Sequence, residues 1–217
     1  MKDIKNKLIQ YIKDKGLRPA HTFKIKPSGA GIQLYDKDYT PLEGHKAYWD
    51  GDLDLDPFWC QRFNPKPEPL ISLGGCPAVV LGDFRCKFNP LKSLQGAPLY
   101  VGGDFDCIYT HLTTLEGGPK VVGGDYSCSY SGLESLKGAP EYIPGQFNCV
   151  ANKLKNLRFG PRVVGGGCDC SYNRFLTSLE GCPDRVGGSL VCEGYILPKN
   201  YTLPEVNYKI KLDDPAA

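Results

Sequence analysis

The chain has 217 residues, long enough for a sizeable core in one domain or at most two. Lys+Arg 26 against Asp+Glu 24 leaves a formal net charge of +2, which excludes a partner recruited by bulk charge alone, whether nucleic acid or membrane. The 26 Gly and 18 Pro both break helix interiors and exclude a helical bundle.

The first fifteen residues, MKDIKNKLIQYIKDK, carry charge throughout and contain no apolar run of signal-peptide type. No stretch approaches the ~18 apolar residues of a membrane span. A cytoplasmic protein is expected, in the host cell if it is viral. Within that segment Ile4, Leu8, Tyr11 and Ile12 form one stripe of an amphipathic helix, with Gly16 as its stop. Phe23-Lys24-Ile25 and Ile32-Gln33-Leu34-Tyr35 then alternate around Pro27-Ser28-Gly29-Ala30-Gly31, the pattern of a hairpin. Residues 1–40 are therefore expected to be a helix and hairpin cap.

From residue 41 to 199 the chain repeats. Leu73, Leu94, Leu115, Leu136, Leu157 and Leu179 recur at steps of 21 residues, the last step being 22. Cys86, Cys107, Cys128, Cys149, Cys170 and Cys192 keep the same spacing, and the extra residue falls after Asn173. One such unit cannot bury its own apolar face, but a stack can, so the period predicts a solenoid. A degenerate seventh unit precedes these six. Its Pro41-Leu42-Glu43-Gly44 matches the repeat start, and Gly51-Asp52-Leu53-Asp54-Leu55 matches Gly103-Asp104-Phe105-Asp106-Cys107. An insertion at 56–72 separates it from the next unit. Residues 200–217 contain Val206, Tyr208, Ile210 and Leu212 alternating with polar residues, a capping strand.

Within a unit, Phe105 and Cys107 point one way and Asp104 and Asp106 the other. The stretch reads G-x-F-x-C-x-x-N-x-L, with Asn89, Asn152 and Asn173 at the polar site and Thr110 and Ser131 replacing it. This resembles the leucine-rich repeat pattern, with Cys and aromatic residues in place of strand leucines. The short form is similar to repeats of bacterial and bacteriophage proteins. The resemblance implies a right-handed stack of parallel strands, an Asn ladder that satisfies loop backbone groups, and a concave strand face that binds a partner. The overall expectation is a mainly β solenoid with an N-terminal helix and hairpin and a C-terminal strand. The Gly- and Pro-rich L-x-G-x-P segment on the convex side is too short for a helix, so turns and extended chain are expected there. The Cys column alternates with Phe84, Phe105, Tyr126 and Phe147 and reads as a large/small core rung of reduced thiols.

The outward strand positions carry the functional signal. Asp52, Asp83, Asp104 and Asp125 form one column, with Asp54 and Asp106 beside it and Arg85 intervening. Three readings stand: a solvated face, a docking surface for a basic protein partner, or a cation site. For calcium, Asp50 to Asp56 places Gly second rather than sixth, and position twelve is Gln61. Phe88, Tyr109, Tyr130 and Tyr172 form a column two residues after each Cys, with Ala151 and Gly194 completing it. It is either a structural stack or an exposed contact ridge. Phe58, Trp59 and Phe63, in the insertion, are either a contact loop or a lid over the core. Stacking platforms for nucleic acid need Lys or Arg on the phosphates, whereas the columns beside these aromatics supply mostly Asp and Ser, so direct nucleic-acid binding is not expected. His21, His45 and His111 are isolated, and no catalytic, metal or phosphate-loop motif is present. No cofactor and no enzymatic activity are expected. The expected function is protein binding, as an effector or inhibitor that occludes a host factor such as an antiviral-defence or anti-CRISPR target. The alternatives are a self-associating structural subunit and a carbohydrate or small-ligand binder.

Overall fold

In the computed structural model, which describes residues 2–57, 69–194 and 206–212, each repeat makes two short strands rather than one. The strand expected from the sequence, Phe84–Arg85 and its equivalents, is the second of the pair. The first is the β-branched or aromatic dipeptide before the Gly-Gly turn: Val79–Val80, Tyr100–Val101, Val121–Val122, Tyr142–Ile143, Val163–Val164 and Arg185–Val186. Its second residue points inward, so Val80, Val101, Val122, Ile143 and Val164 are buried.

Both strands stack in parallel on their equivalents in the next coil. The long ladder has eight strands in the order Leu53–Asp54, Phe84–Arg85, Phe105–Asp106, Tyr126–Ser127, Phe147–Asn148, Cys168–Asp169, Ser189–Cys192 and Lys209–Leu212. Its register pairs Phe84 with Phe105, Phe105 with Tyr126 and Tyr126 with Phe147, as the 21-residue period requires. At the 22-residue step Cys168 pairs with Leu190, because the extra residue is absorbed in the Arg174-Phe175 turn and Leu176 returns to the core. The expected C-terminal strand closes the ladder, Leu190 facing Ile210 and Cys192 facing Leu212.

The short ladder runs Arg18–Ala20, Ala47–Trp49, Val79–Val80, Tyr100–Val101 and Val121–Val122, then breaks before Tyr142–Ile143. Pro144 accounts for the break. In other coils the residue at this position donates its N–H to the preceding coil: Gly102 to Val80 O at 2.8 Å, Gly165 to Ile143 O at 2.8 Å and Gly187 to Val164 O at 2.9 Å. Proline has no N–H to give.

Between the ladders lie the columns read from the sequence. Cys86, Cys107, Cys128, Cys149, Cys170 and Cys192 are fully buried, as are Leu73, Leu94, Leu115, Leu91, Leu112 and Leu133. Phe84, Phe105, Tyr126 and Phe147 form a continuous ring stack with centroid spacings of 5.7, 4.9 and 5.9 Å. Asn152 is also buried. Its Nδ2 donates to the carbonyls of Cys128 and Cys149 at 3.1 and 3.0 Å, and its Oδ1 accepts the N–H groups of Ser131, Gly132 and Leu133. Asn89 and Asn173 do the same work in their coils. Thr110 and Ser131, where Asn is replaced, bond to each other at 2.9 Å and share the carbonyl of Cys107.

The N-terminal hairpin forms with Phe23 opposite Leu34. Pro41–Leu42, read in the sequence as the start of the degenerate unit, adds a third antiparallel strand to it, while Leu42 still enters the core. Helix α1 (Lys2–Lys15) ends at Gly16, whose φ of 59° and bond to Lys13 O close the last turn. Leu8 and Ile12 are buried against Ala78 and Val79, with Tyr48, Leu81 and Tyr100 around them, so α1 covers the outer face of the short ladder in its first coils.

Candidate interaction face

The acidic column is built into the backbone. Oδ1 of Asp52, Asp83, Asp104 and Asp125 accepts the N–H of the equivalent residue in the next coil, namely Asp83, Asp104, Asp125 and Gln146, at 2.9, 2.8, 2.8 and 2.7 Å. The glycine before each donating N–H makes room. A Cβ on Gly82, Gly103, Gly124 or Gly145 would overlap the Oδ1 of the aspartate below it. The Gly-Asp pair of each repeat is thus one device, and none of the three roles considered for the column from sequence includes it. Asp54 and Asp106 use one oxygen within their own turns, on the N–H of Asp56 at 2.9 Å and of Ile108 at 3.2 Å.

Cations offset part of the charge. Arg85 sits between Asp83, at 2.5 Å, and Asp52, at 3.8 Å, and Lys87 lies 3.4 Å from Asp56 and 3.7 Å from Asp106. Burial raises the carboxyl of Asp106 above its ordinary range. Asp104 and Asp125 make no ion pair among the described residues, so the uncompensated acid lies mid-ladder rather than at the first strands. Farther along, the face changes sign, since Lys209 and Lys211 project from the last strand.

Asp56 was not singled out as a site residue in the sequence, where it appeared only in the rejected calcium loop. It is almost fully buried, its Oδ1 accepts the Lys87 N–H at 2.5 Å, and its carboxyl is pushed up to about 6. Desolvation is the main cause and Asp54 adds to it, while Lys87 opposes both.

The aromatic column is both a stack and an exposed ridge. Phe88 lies on Tyr109 at 5.0 Å and Tyr109 on Tyr130 at 4.8 Å, with planes 11° and 18° apart. All three are exposed, Tyr109 to 47% and Tyr130 to 49%. Each has a φ between 52° and 57°, a left-handed conformation uncommon for bulky residues, which turns the chain at the strand exit and throws the ring outward. Tyr172 repeats the conformation but stands apart, because its column neighbours are Ala151 and Gly194. Phe58, Trp59 and Phe63 lie outside the described residues, and so does the choice between contact loop and lid.

Concavities are also present among the described residues. A groove of about 910 Å³ lies on the short-ladder side where Pro144 breaks the sheet, with Tyr142 and Phe159 exposed on it. Phe159 stands where the other coils have Gly75, Gly96, Gly117, Gly138 or Gly181, and it keeps their positive φ, at 65°. A sequence signal for this existed in the interrupted glycine column. A smaller notch, about 430 Å³, opens beside Ala151.

Desolvation pushes the thiols of Cys107 and Cys128 up, a hydrogen bond with Cys192 and then burial do so for Cys170, and these three lie within 3.3–3.5 Å of strand carbonyls of the next coil. Among the described residues no three His, Cys, Asp or Glu side chains are grouped to hold a metal, and no helix is long and apolar enough to cross a membrane. No protein-family model matches the chain, and no curated protein or solved structure matches it.

Proposed function

We propose that the chain is a non-enzymatic binding module whose outer long-ladder face docks a protein with a basic surface. The observation that carries this reading is the exposed Phe88-Tyr109-Tyr130 stack running beside Asp104, Asp106 and Asp125. Ordered rings offer large contact area with little entropy left to lose, and nearby carboxylates steer a cationic partner and fix its register. The placement of α1 supports the same choice, since the helix covers part of the outer face of the short ladder. The specific form we favour is an inhibitor: a rigid acidic face that competes with nucleic acid for a basic groove on its target.

Charge reversal at the aspartate column would break the inter-coil bonds along with the charge. Asp104→Asn and Asp125→Asn keep the Oδ1 acceptor and remove only the charge. Capture from bacterial lysate with wild type, the double Asn variant and Tyr109→Ala, read by mass spectrometry at low and high salt, tests the proposal. A salt-sensitive partner lost with both variants supports it. Equal retention by all three proteins, or no partner, sinks it.

A second reading, self-association through the aromatic ridge, is favoured by the exposure of the stacked Phe88, Tyr109 and Tyr130 rings. Sedimentation velocity decides this one, since a salt-independent monomer discards it.

A further inference from the structure

The aromatic ridge has one missing tooth. Rings at this position repeat every 4.8–5.0 Å along the stack axis. Ala151 keeps the backbone of its neighbours, with φ 54° against 54° at Tyr130 and 59° at Tyr172, but carries no ring. The stack is therefore interrupted for one coil, roughly 10 Å from the backbone level of Tyr130 to that of Tyr172. Tyr172 does not lean back to fill it. Its ring lies over Gly194, where a Cβ would overlap it. The result is the notch of about 430 Å³, floored by Ala151 and walled by Tyr172 and Phe175, the latter thrown outward by the extra residue of its coil and 50% exposed.

The rim of the notch is cationic, unlike the strand face next to it. Lys153 and Arg174 line it and make no ion pair among the described residues. Elsewhere on the solenoid Lys137, Arg158 and Arg162 are each held by a carboxylate of the neighbouring coil, Glu116, Glu180 and Asp184. A slot shaped for one flat ring, with two uncommitted cations at its mouth, complements an aromatic group that carries negative charge beside it.

We infer that the Ala151 notch receives an aromatic side chain of the protein partner, from a segment in which that residue is flanked by Asp or Glu. The inference rests on the protein-binding reading above and extends it with a second, oppositely charged contact. The partner's ring packs over Ala151 against Tyr172 and Phe175, and its acidic neighbours meet Lys153 and Arg174. The two contacts have complementary signs, so a partner must present a basic surface to the strand face and an acidic aromatic segment to the ridge, in a fixed order.

The test is a titration of ¹⁵N-labelled full-length protein with the acetylated, amidated tripeptide Glu-Trp-Glu, followed by amide shifts. Glu-Leu-Glu, Lys-Trp-Lys and adenosine monophosphate serve as comparison probes. Glu-Trp-Glu should shift the amides of Gly132, Ala151, Lys153 and Arg174, and binding should weaken about fivefold for Lys-Trp-Lys, which reverses the charge at the rim. Ala151→Tyr, which fills the notch with the residue used at the same φ in three other coils, should abolish those shifts while leaving the rest of the spectrum in place. Equal shifts with Glu-Leu-Glu would overturn the inference, and they are readable even if the variant does not fold. So would unchanged binding by Ala151→Tyr, or shifts with the nucleotide alone. Failure here leaves the Asp104/Asp125 capture result untouched, and failure of that capture leaves this titration readable, so the two readings fall separately.

Discussion

Tyr126 offers a clean perturbation because the molecule supplies its own controls. It occupies the core column held by Phe84, Phe105 and Phe147, is fully buried, and its hydroxyl is the one buried side-chain polar atom without a hydrogen-bond partner among the described residues. The hydroxyl fits because the facing turn carries Gly118 where adjacent coils carry Ala97 and Ala139; a Cβ there would stand 3.3 Å from it. An unpaired buried hydroxyl costs roughly 1–3 kcal/mol in lost hydration. Removing it leaves a void of about one oxygen atom, whose lost packing offsets part of that gain. Tyr126→Phe should therefore stabilise the protein by about 1 kcal/mol, raising Tm by about 2–4 °C for a chain of this size. Urea denaturation followed by circular dichroism and by tryptophan fluorescence measures it, and coincident transitions by the two probes are needed because stacked repeats can unfold in parts. A loss of about 1 kcal/mol or more would refute the argument, because it would mean that the hydroxyl has a partner, such as a buried water, worth more than its desolvation.

Asn152→Ala should cost about 3 kcal/mol or more in the same assay, since several backbone groups of the turn lose their partner at once; Asn152→Ser should cost less, as Ser131 holds that position in the preceding coil. Gly124→Ala should destabilise by roughly 1–3 kcal/mol by displacing the Asp104 carboxylate, and Asp104→Asn should be much milder than Asp104→Ala. Asp56 titrates near 6 in the folded protein and near 3.9 when unfolded, so the folded state binds the extra proton between those values. Its contribution should make the protein more stable at pH 5 than at pH 7, by roughly 1–3 kcal/mol, and Asp56→Asn should flatten that difference; an unchanged pH profile in the variant would contradict the assignment. Thiol titration should find the Cys column unreactive in the native protein and close to ten free thiols per chain after denaturation, while intramolecular disulfides would overturn the reading of the column as packing.

Much of the architecture was legible because translation by one repeat is written into the residue order. Residues 21 apart are strand neighbours, so Phe84, Phe105, Tyr126 and Phe147 had to stack and the Cys column had to share their interior face. The hairpin, the Gly16 stop and the last strand followed from local alternation and turn chemistry. The binding face was legible only in part. That Asp104 and Asp106 point outward follows from period two, but that one oxygen of Asp104 is spent on the next coil does not, because the bond depends on an inter-coil distance and on the space that Gly124 leaves.

What the sequence determined by itself is the solenoid, its core columns and the outward acid and aromatic columns, whereas the first short strand of each coil and the Gly-Asp bond between coils, though they repeat, needed the structure. Tertiary structure decided what breaks the repeat or joins parts unequally spaced. Helix α1 packs on the short ladder because Val79, Tyr48 and Tyr100 present an apolar surface there, a contact with no period to announce it. The short ladder gains a strand from Arg18–Ala20 before the repeats begin and loses continuity at Pro144. Ala151 reads in the sequence as one conservative gap in a column. Only in three dimensions does that gap become a notch, because the Tyr172 ring leans over Gly194 rather than back over Ala151, and Phe175 walls the space left.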